Sequence, residues 1–411
     1  MLDRQAFEAL DRADPLGGKR SEFLVPEGLV YLDGNSLGAL PARVPARLER
    51  VVREEWGRGL IGSWNASGWI DLPRCVGAKI ARLVGAGADE VIACDSTSVN
   101  LFKVLAAALG LLPERRVIVS DGDNFPTDLY VAEGVRDLLG RGHEMRLVDA
   151  GDIEGAIDEG TALLLLTGVD YRTGALHDME RLTRAAHDKG ALVVWDLAHS
   201  AGAMPLDLDG LEVDFAVGCG YKYLNGGPGA PAFVFVARRH LARVTPALTG
   251  WMGHRAPFAF DARYAPSDDI RKLTAGTPPV LAMAALDEAL EVFADVDLRQ
   301  VREKSARLGD LFISLADPLC KEHGLRLVSP RDSAKRGSQV AFAHPEGYAI
   351  VQALIESGVV GDFRAPDVMR FGFAPLYLRY VDIFDAAERL AAVLREERWR
   401  DPRFRARAAV T

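Results

Sequence analysis

The chain has 411 residues, of which 49% are hydrophobic, and a formal net charge of -9. That is enough apolar material for a large core and more than one domain, and the acidic balance argues against a general nucleic-acid binder, which needs clustered Lys and Arg. The cysteines (Cys75, Cys94, Cys219, Cys320) are far apart and form no CxxC pair, so neither a metal site nor a disulfide framework is expected.

No apolar h-region opens the chain, and runs such as 162–166 are too short to span a bilayer. These features read as a cytoplasmic chain with reduced thiols. Basic residues are scattered, except for Arg395, Arg398, Arg400, Arg403, Arg405 and Arg407 near the C-terminus, which read as a solvated terminal segment.

In chain order, an apolar run at 29–32 leads into Gly34-Asn35-Ser36-Leu37-Gly38. A helix is predicted from the Ser96-Thr97-Ser98 start through 101–112. A strand follows at 116–120, a helix at 126–139, a strand at 144–148 and a short helix at 152–157. Residues 162–167 read as a strand, 178–189 as a helix and 191–195 as a buried strand. Further strands are predicted at 213–217 and 232–236. Near-continuous apolar strands alternating with helices imply an α/β domain with a mostly parallel sheet covered on both faces.

Beyond Thr277-Pro278-Pro279 the texture changes. Helices are predicted over 280–294 and 298–315, short strands near 326–328, 339–342 and 368–371, and a last helix from about Tyr380. The division expected is an N-terminal segment (1–45) that packs with a smaller α+β domain (281–411), and a large domain (46–280).

Ligands of such sheets sit beyond the carboxyl ends of the strands. Asp170, Asp196 and Lys222 each follow an apolar run and so fall at one rim. Lys222 lies in Gly220-Tyr221-Lys222-Tyr223-Leu224-Asn225, and upstream stands Asp196-Leu197-Ala198-His199. A lysine that can condense with an aldehyde and an aspartate that can keep a pyridine nitrogen protonated are what pyridoxal phosphate requires.

The other motifs divide between plain and functional readings. Thr97 and Ser98 are either an ordinary helix start or a phosphate cup. Phe125, in Asn124-Phe125-Pro126-Thr127-Asp128, is either core or a ring stacked on a flat heterocycle. Asp128 is a helix-start residue or a second carboxylate near that ring. His199 is structural or touches the cofactor. Tyr221 is a packed aromatic or a general acid that also reaches the phosphate.

Gly34-Asn35-Ser36-Leu37-Gly38 matches the GxSxG nucleophile pattern, so a serine hydrolase is the rival chemistry. A nucleophile elbow, however, sits deep in a parallel sheet, and residue 36 precedes any sheet. A non-catalytic binding protein is the other rival of a different class.

Taken together, Leu32-Asp33-Gly34-Asn35-Ser36-Leu37-Gly38, Asn124 to Asp128, Asp196-Leu197-Ala198-His199, Tyr221-Lys222-Tyr223-Leu224-Asn225, Gly250-Trp251-Met252-Gly253-His254 and Arg370-Phe371-Gly372 resemble the kynureninase family. These are fold-type I pyridoxal-phosphate enzymes, and the motifs stand in family order over most of the chain.

The resemblance implies phosphate contacts from Thr97 and Ser98. It implies that Phe125, Pro126, Thr127 and Asp128 line the ring, and that Thr167 also touches the cofactor. Asp196 and His199 would address its pyridine side. Lys222 would bind its aldehyde, and Tyr221 would serve as the acid. Trp251 and Thr277 would reach the phosphate of a partner subunit in a homodimer. Arg370 would bind the substrate's α-carboxylate as a two-point pair, with Asn35 and Trp64 as further substrate residues. The reaction implied is hydrolysis of L-kynurenine to anthranilate and L-alanine in tryptophan catabolism. Thr277 and the slot near Trp64 look bacterial, which implies a preference for kynurenine over its 3-hydroxy derivative. A cysteine desulfurase or an aminotransferase is the near rival. A desulfurase needs a cysteine on a mobile loop and typically carries His before the lysine, where Tyr221 stands here.

Overall fold

The computed structural model describes residues 3–407. Every residue of Thr161–Thr167 is buried, the mark of a strand at the centre of a sheet covered on both faces. Period-two alternation divides this strand between two cores: Leu164 and Leu166 pack on one side of the sheet, Leu163 and Leu165 on the other.

The first strand in the chain, β1 (Val30–Tyr31), belongs to a different part of the molecule. The large sheet has seven strands: β2 (Val91–Ala93), β3 (Val117–Asp121), β4 (Glu144–Val148), β5 (Thr161–Thr167), β6 (Leu192–Asp196), β7 (Phe215–Gly218) and β8 (Phe233–Val236), in the order β2-β8-β7-β6-β5-β3-β4. Strands β4, β3, β5, β6 and β7 run parallel, and β8 is antiparallel to both of its neighbours.

The sequence reading lacks β2. Three residues, Val-Ile-Ala, give no usable period, and only pairing with β8 makes them a strand. The predicted helix at 152–157 is a single 3-10 turn, Glu154–Ala156, and the predicted helix at 280–294 ends as a helix at Leu290.

The smaller unit carries β9 (Arg326–Leu327), β10 (Gln339–Ala343), β11 (Val359–Val360), β12 (Asp362–Arg364) and β13 (Val368–Gly372). Four of these form an antiparallel sheet in the order β12-β13-β10-β9, while β11 pairs in parallel with β1. The N-terminal residues are tied to this unit by more than one strand. Phe7 packs on Phe384 with ring centroids 5.4 Å apart. Asp14 forms a buried pair with Lys304 at 2.6 Å, and Lys304 also donates to the Pro375 carbonyl at 2.6 Å.

The arginines of the basic C-terminal stretch are solvated, as its charge suggested, but two aromatic residues tie the segment down. Phe404 is buried, and Trp399 packs against His344 at 5.9 Å. The arginines stay at the surface in ion pairs, Arg403 with Glu356 among them, so two aromatic anchors decide the placement of the segment.

Removing one member of a buried pair leaves an uncompensated charge, which costs about 3–5 kcal/mol, whereas replacing both by apolar groups is often neutral. Asp14→Ala should therefore lower the denaturant midpoint strongly, and Asp14→Ala with Lys304→Met should recover most of the loss. Equal loss in the single and double variants would contradict this assignment.

Candidate active site

The parallel strands deliver their last residues to one edge. Thr167 ends β5, Asp196 ends β6, and the two are register partners. The chain leaving β7 carries Tyr221 and Lys222. Beside them starts the helix Thr97–Leu111, capped by Ser96, whose Oγ accepts from Val99 N at 3.3 Å. That cap leaves the first helical amides, at Thr97 and Ser98, beyond reach of any acceptor within the helix. A helix Pro126–Leu139 begins nearby and brings Thr127 and Asp128.

These groups enclose a cavity of about 240 Å³ lined by Thr97, Ser98, Phe125, Thr127, Asp128, Thr167, Asp196, His199, Tyr221 and Lys222, together with Val169, Tyr171 and Ala198. Pro126 supplies the first helical residue behind this wall. A larger open depression of about 720 Å³ lies alongside, with Asp121, Asp149, Asp170 and His177 in its walls, but it holds neither Lys222 nor Asp196. Asp170, expected at the rim, closes a turn by accepting from Thr173 N at 2.6 Å.

The cavity combines one ammonium with two buried carboxylates. Asp196 accepts from Ala198 N at 2.7 Å, and burial raises its pKa, opposed by the charge of Lys222. Asp128 is pushed well above the usual carboxylate range by burial and then by the charge of Asp196. Among the described residues its Oδ2 has no hydrogen-bond partner within normal geometry, and neither has Nδ1 of His199, although the Gln339 side chain approaches that imidazole. Lys222 Nζ lies 2.9 Å from His199 Nε2. Burial, and after it the positive charges of Lys222, Arg370 and Arg364, hold His199 neutral. Tyr221 is pushed above its ordinary range, again chiefly by burial.

Buried polar atoms without partners are rare in folded proteins, and here two of them line one cavity. They fit pyridoxal phosphate: a cationic ring nitrogen would meet Asp196, and the amides and hydroxyls of Thr97 and Ser98 would meet the phosphate. Phe125 offers a partly exposed ring, with Tyr171 edge-on to it at 5.2 Å.

Two supports behind the cavity went unread in the sequence. Lys103 is fully buried; it bonds Asp95 and donates to the Leu273 carbonyl at 2.7 Å and Asn100 Oδ1 at 3.2 Å. It thereby ties the start of the Thr97–Leu111 helix to the segment leading to Thr277. The Asn35-Ser36-Leu37-Gly38 loop clamps the lysine segment, with Gly38 N donating to the Tyr221 carbonyl at 2.7 Å. A Cβ at Gly38 would overlap the Lys222 carbonyl and the Asn225 side chain, so only glycine allows this approach.

Other expected residues stand apart from the cavity. Trp251 packs edge-on to Trp64 at 6.2 Å, and Thr277 lies beside Ala93 to Asp95. Asn35 is fully buried, with Nδ2 3.4 Å from Gln339 Oε1. Arg370 does not line the cavity itself; it contacts the carbonyl of Tyr171, which does. Its Nε donates to Asp362 Oδ1 at 2.7 Å, its Nη2 contacts Asp362 Oδ2, and Ser36 Oγ is 3.2 Å away. Ser36 donates to Asp362 Oδ2 at 2.8 Å. It is engaged by a carboxylate and a guanidinium rather than by an imidazole, and β1 before it lies outside the large sheet, so the hydrolase triad does not form. Tyr171, Asp362 and Arg364 were missed because no local motif marks them.

The fold and the site define a class, the fold-type I pyridoxal-phosphate enzymes. Among solved structures, the cysteine desulfurase CsdA from Escherichia coli superposes with a TM-score of 0.76 at 22% identity, covering 93% of this chain and 98% of that one. A variant of C-DES with glycine covalently linked to its pyridoxal-phosphate cofactor gives 0.76 at 17% identity, covering 95% and 99%. Such identities speak for the fold alone.

The family follows from sequence. Kynureninases of Burkholderia mallei and Pseudomonas fluorescens are 50% identical over 416 residues, with all of this chain and all of each relative covered. The family model of the kynureninase C-terminal domain matches residues 301–390. The chain belongs to the kynureninase family and is a pyridoxal-phosphate-dependent hydrolase.

Asp33, which feels the charges of Asp362, Arg370 and Arg364, is raised from 3.8 to about 7, by burial first and by the charge of Asp362 second. A raised carboxylate favours the protonated folded state, so this group lowers folding stability as pH rises from about 4 to 7. Below pH 7, Asp33, Asp362, Arg364 and Arg370 together carry one net positive charge; above it they carry none. The Michaelis constant for an amino-acid substrate should therefore rise between pH 6 and 8. Asp33→Asn, always neutral, should flatten that rise, and an identical profile for both proteins would exclude Asp33 as its source.

Proposed function

We propose that the enzyme hydrolyses L-kynurenine to anthranilate and L-alanine, with its chemistry centred on Lys222. The observation that carries this reading is one lysine and two buried carboxylates around a single cavity, in a chain of this family. Bound pyridoxal phosphate supplies the electron sink that makes a carbanion beside the substrate's α-carbon tolerable. Lys222 would hold the cofactor through its aldehyde and, once the substrate's amine has displaced it, its free amine would take the proton from the α-carbon. Asp196 keeps a negative charge at the ring nitrogen, and His199 and Phe125 fix the ring's position. The Cβ–Cγ bond breaks, and water delivers hydroxyl to Cγ, which becomes the anthranilate carboxylate. Tyr221 gives the proton that completes the alanine methyl. Arg370 holds the α-carboxylate, and Asn35 and Trp64 bound the substrate pocket.

We read the active species as a cytoplasmic homodimer in which Trp251 and Thr277 complete the partner's phosphate site. Three features support this. Both residues stand away from Lys222 in their own chain. Trp64, Trp251, Phe258 and Phe260 form a run of ring contacts ending in Phe260, which is 79% exposed. Trp56, Leu60 and Ile61 add exposed apolar surface, of the kind that marks an interface. Among the described residues, no helix is long and apolar enough to cross a membrane. We read the domains as 46–280 and 281–411, with 1–45 joined to the smaller, and the preferred substrate as kynurenine rather than 3-hydroxykynurenine.

A desulfurase reading fits less well. Cys320 sits within the helix Leu298–His323, and Cys94 and Cys219 are buried, whereas that chemistry needs a thiol on a mobile loop.

Product analysis decides the reaction. L-kynurenine should yield anthranilate and alanine in equal amounts, and sulfide from cysteine or α-keto acid exchange in their place would overturn the reading. Lys222→Ala should lose several orders of magnitude in turnover, because the cofactor link and the α-carbon base go together. Borohydride treatment with the cofactor should place the label on Lys222, and a label on another lysine would reject it.

The dimer is tested by mixing. Lys222→Ala and Thr277→Arg should each be inactive alone and regain part of the activity together, since one site of each hybrid carries neither change. A fully active monomer across a dilution series would contradict the shared site.

A further inference from the structure

Arg370 is buried, and its hydrogen-bonding capacity is largely committed to the protein. A guanidinium has five N–H groups. The contacts to Asp362 Oδ1, Asp362 Oδ2, Ser36 Oγ and the Tyr171 carbonyl engage four of them. One N–H cannot form the two parallel bonds by which arginine grips a carboxylate. A second donor is needed, and the fold places one beside it.

Register shows where. Asp362 of β12 lies opposite Arg370 of β13, and Ala341 of β10 lies opposite Arg370 on the other side. Side chains two apart on a strand share a face. Gln339, Arg370, Asp362 and Arg364 therefore stand on one face of the small sheet. That face looks at the loop after β5, because Gln339 Nε2 donates to the Tyr171 carbonyl at 3.0 Å and Arg370 also contacts it. Tyr171 in turn lines the cavity.

Arg364 is anchored lightly. Its Nη2 pairs with Asp362 Oδ2 at 2.8 Å and its Nη1 donates to the Phe363 carbonyl at 3.1 Å, which leaves three of its five N–H groups. Its side chain is 37% exposed, against 1% for Arg370. Its charge is also felt across the cavity wall, at His199.

We propose that Arg364 is a second carboxylate-binding residue: the α-carboxylate of the amino-acid substrate is held between Arg364 and Arg370, with Asp362 fixing both guanidiniums. The substrate class rests on the hydrolase reading above, but the carboxylate requirement does not depend on which bond is cleaved.

The test uses the holoenzyme and two probes, L-alanine and L-alaninamide, which share the amine and differ only at the carboxyl position. Binding is read from the change in cofactor absorption, without turnover. Arg364→Gln should weaken L-alanine about 10- to 100-fold, the range of charge-assisted hydrogen bonds, and L-alaninamide less than about threefold. Arg364→Lys keeps the charge without the fork and should fall between wild type and Arg364→Gln for L-alanine; it decides the question alone if Arg364→Gln does not fold. Equal weakening of both probes would mean a structural role and overturn the proposal, as would unchanged L-alanine binding. A wild type with no preference for L-alanine over its amide would overturn it too. A wild type that binds L-alanine but leaves L-kynurenine uncleaved would instead sink the hydrolase reading, and the titration would still decide Arg364.

Discussion

Two carboxylates, Asp128 and Asp196, are buried at the carboxyl end of a parallel sheet with one lysine for compensation. An ionised carboxylate out of water is costly unless paired and hydrogen-bonded. Asp196 has a backbone amide, and Asp128 Oδ2 has no partner among the described residues, so burial and the charge of Asp196 push Asp128 well above the usual carboxylate range. Trp195 and the apolar residues of β5 to β7 bury the strands that deliver Asp196, and the helix carrying Asp128 closes the side.

The second dependence is between the two units of the chain. The small sheet contributes no wall to the cofactor cavity, yet one of its faces reaches the Tyr171 carbonyl through Gln339 and Arg370. The Asn35-Ser36-Leu37-Gly38 loop touches both sides. Ser36 binds Asp362, and Gly38 lies against the backbone of Tyr221 and Lys222. A shift of the small unit would therefore be felt at the lysine through this loop. The GxSxG spacing that suggested a nucleophile is a packing requirement: glycine where backbones meet, and a hydroxyl between a carboxylate and a guanidinium.

Local signals were enough for part of this. Lys222, Asp196 and His199 were legible because each follows an apolar strand run, and strand ends in parallel sheets gather at one rim. Thr97 and Ser98 were legible as a helix start. Tyr171 was not, since nothing in Asp170-Tyr171-Arg172 separates a cavity wall from a turn. Strand β2 was too short to carry a period, and the charge pattern of the C-terminal stretch did not show that Trp399 and Phe404 tie it down.

The sequence by itself determined the family and the cofactor class, because Asp196-Leu197-Ala198-His199, Tyr221-Lys222 and the Thr97-Ser98 helix start are each written in a few adjacent residues, and the fold brings them to one cavity. The tertiary structure alone decided how the cluster around Arg370 is built. Ser36, Asp362, Arg364 and Arg370 meet only when the N-terminal loop and the small sheet are docked, with Ser36 and Asp362 separated by 326 positions. No periodicity reaches that far. Which guanidinium is committed to the protein and which keeps free N–H groups is set by burial and strand register, and these exist only in the folded chain.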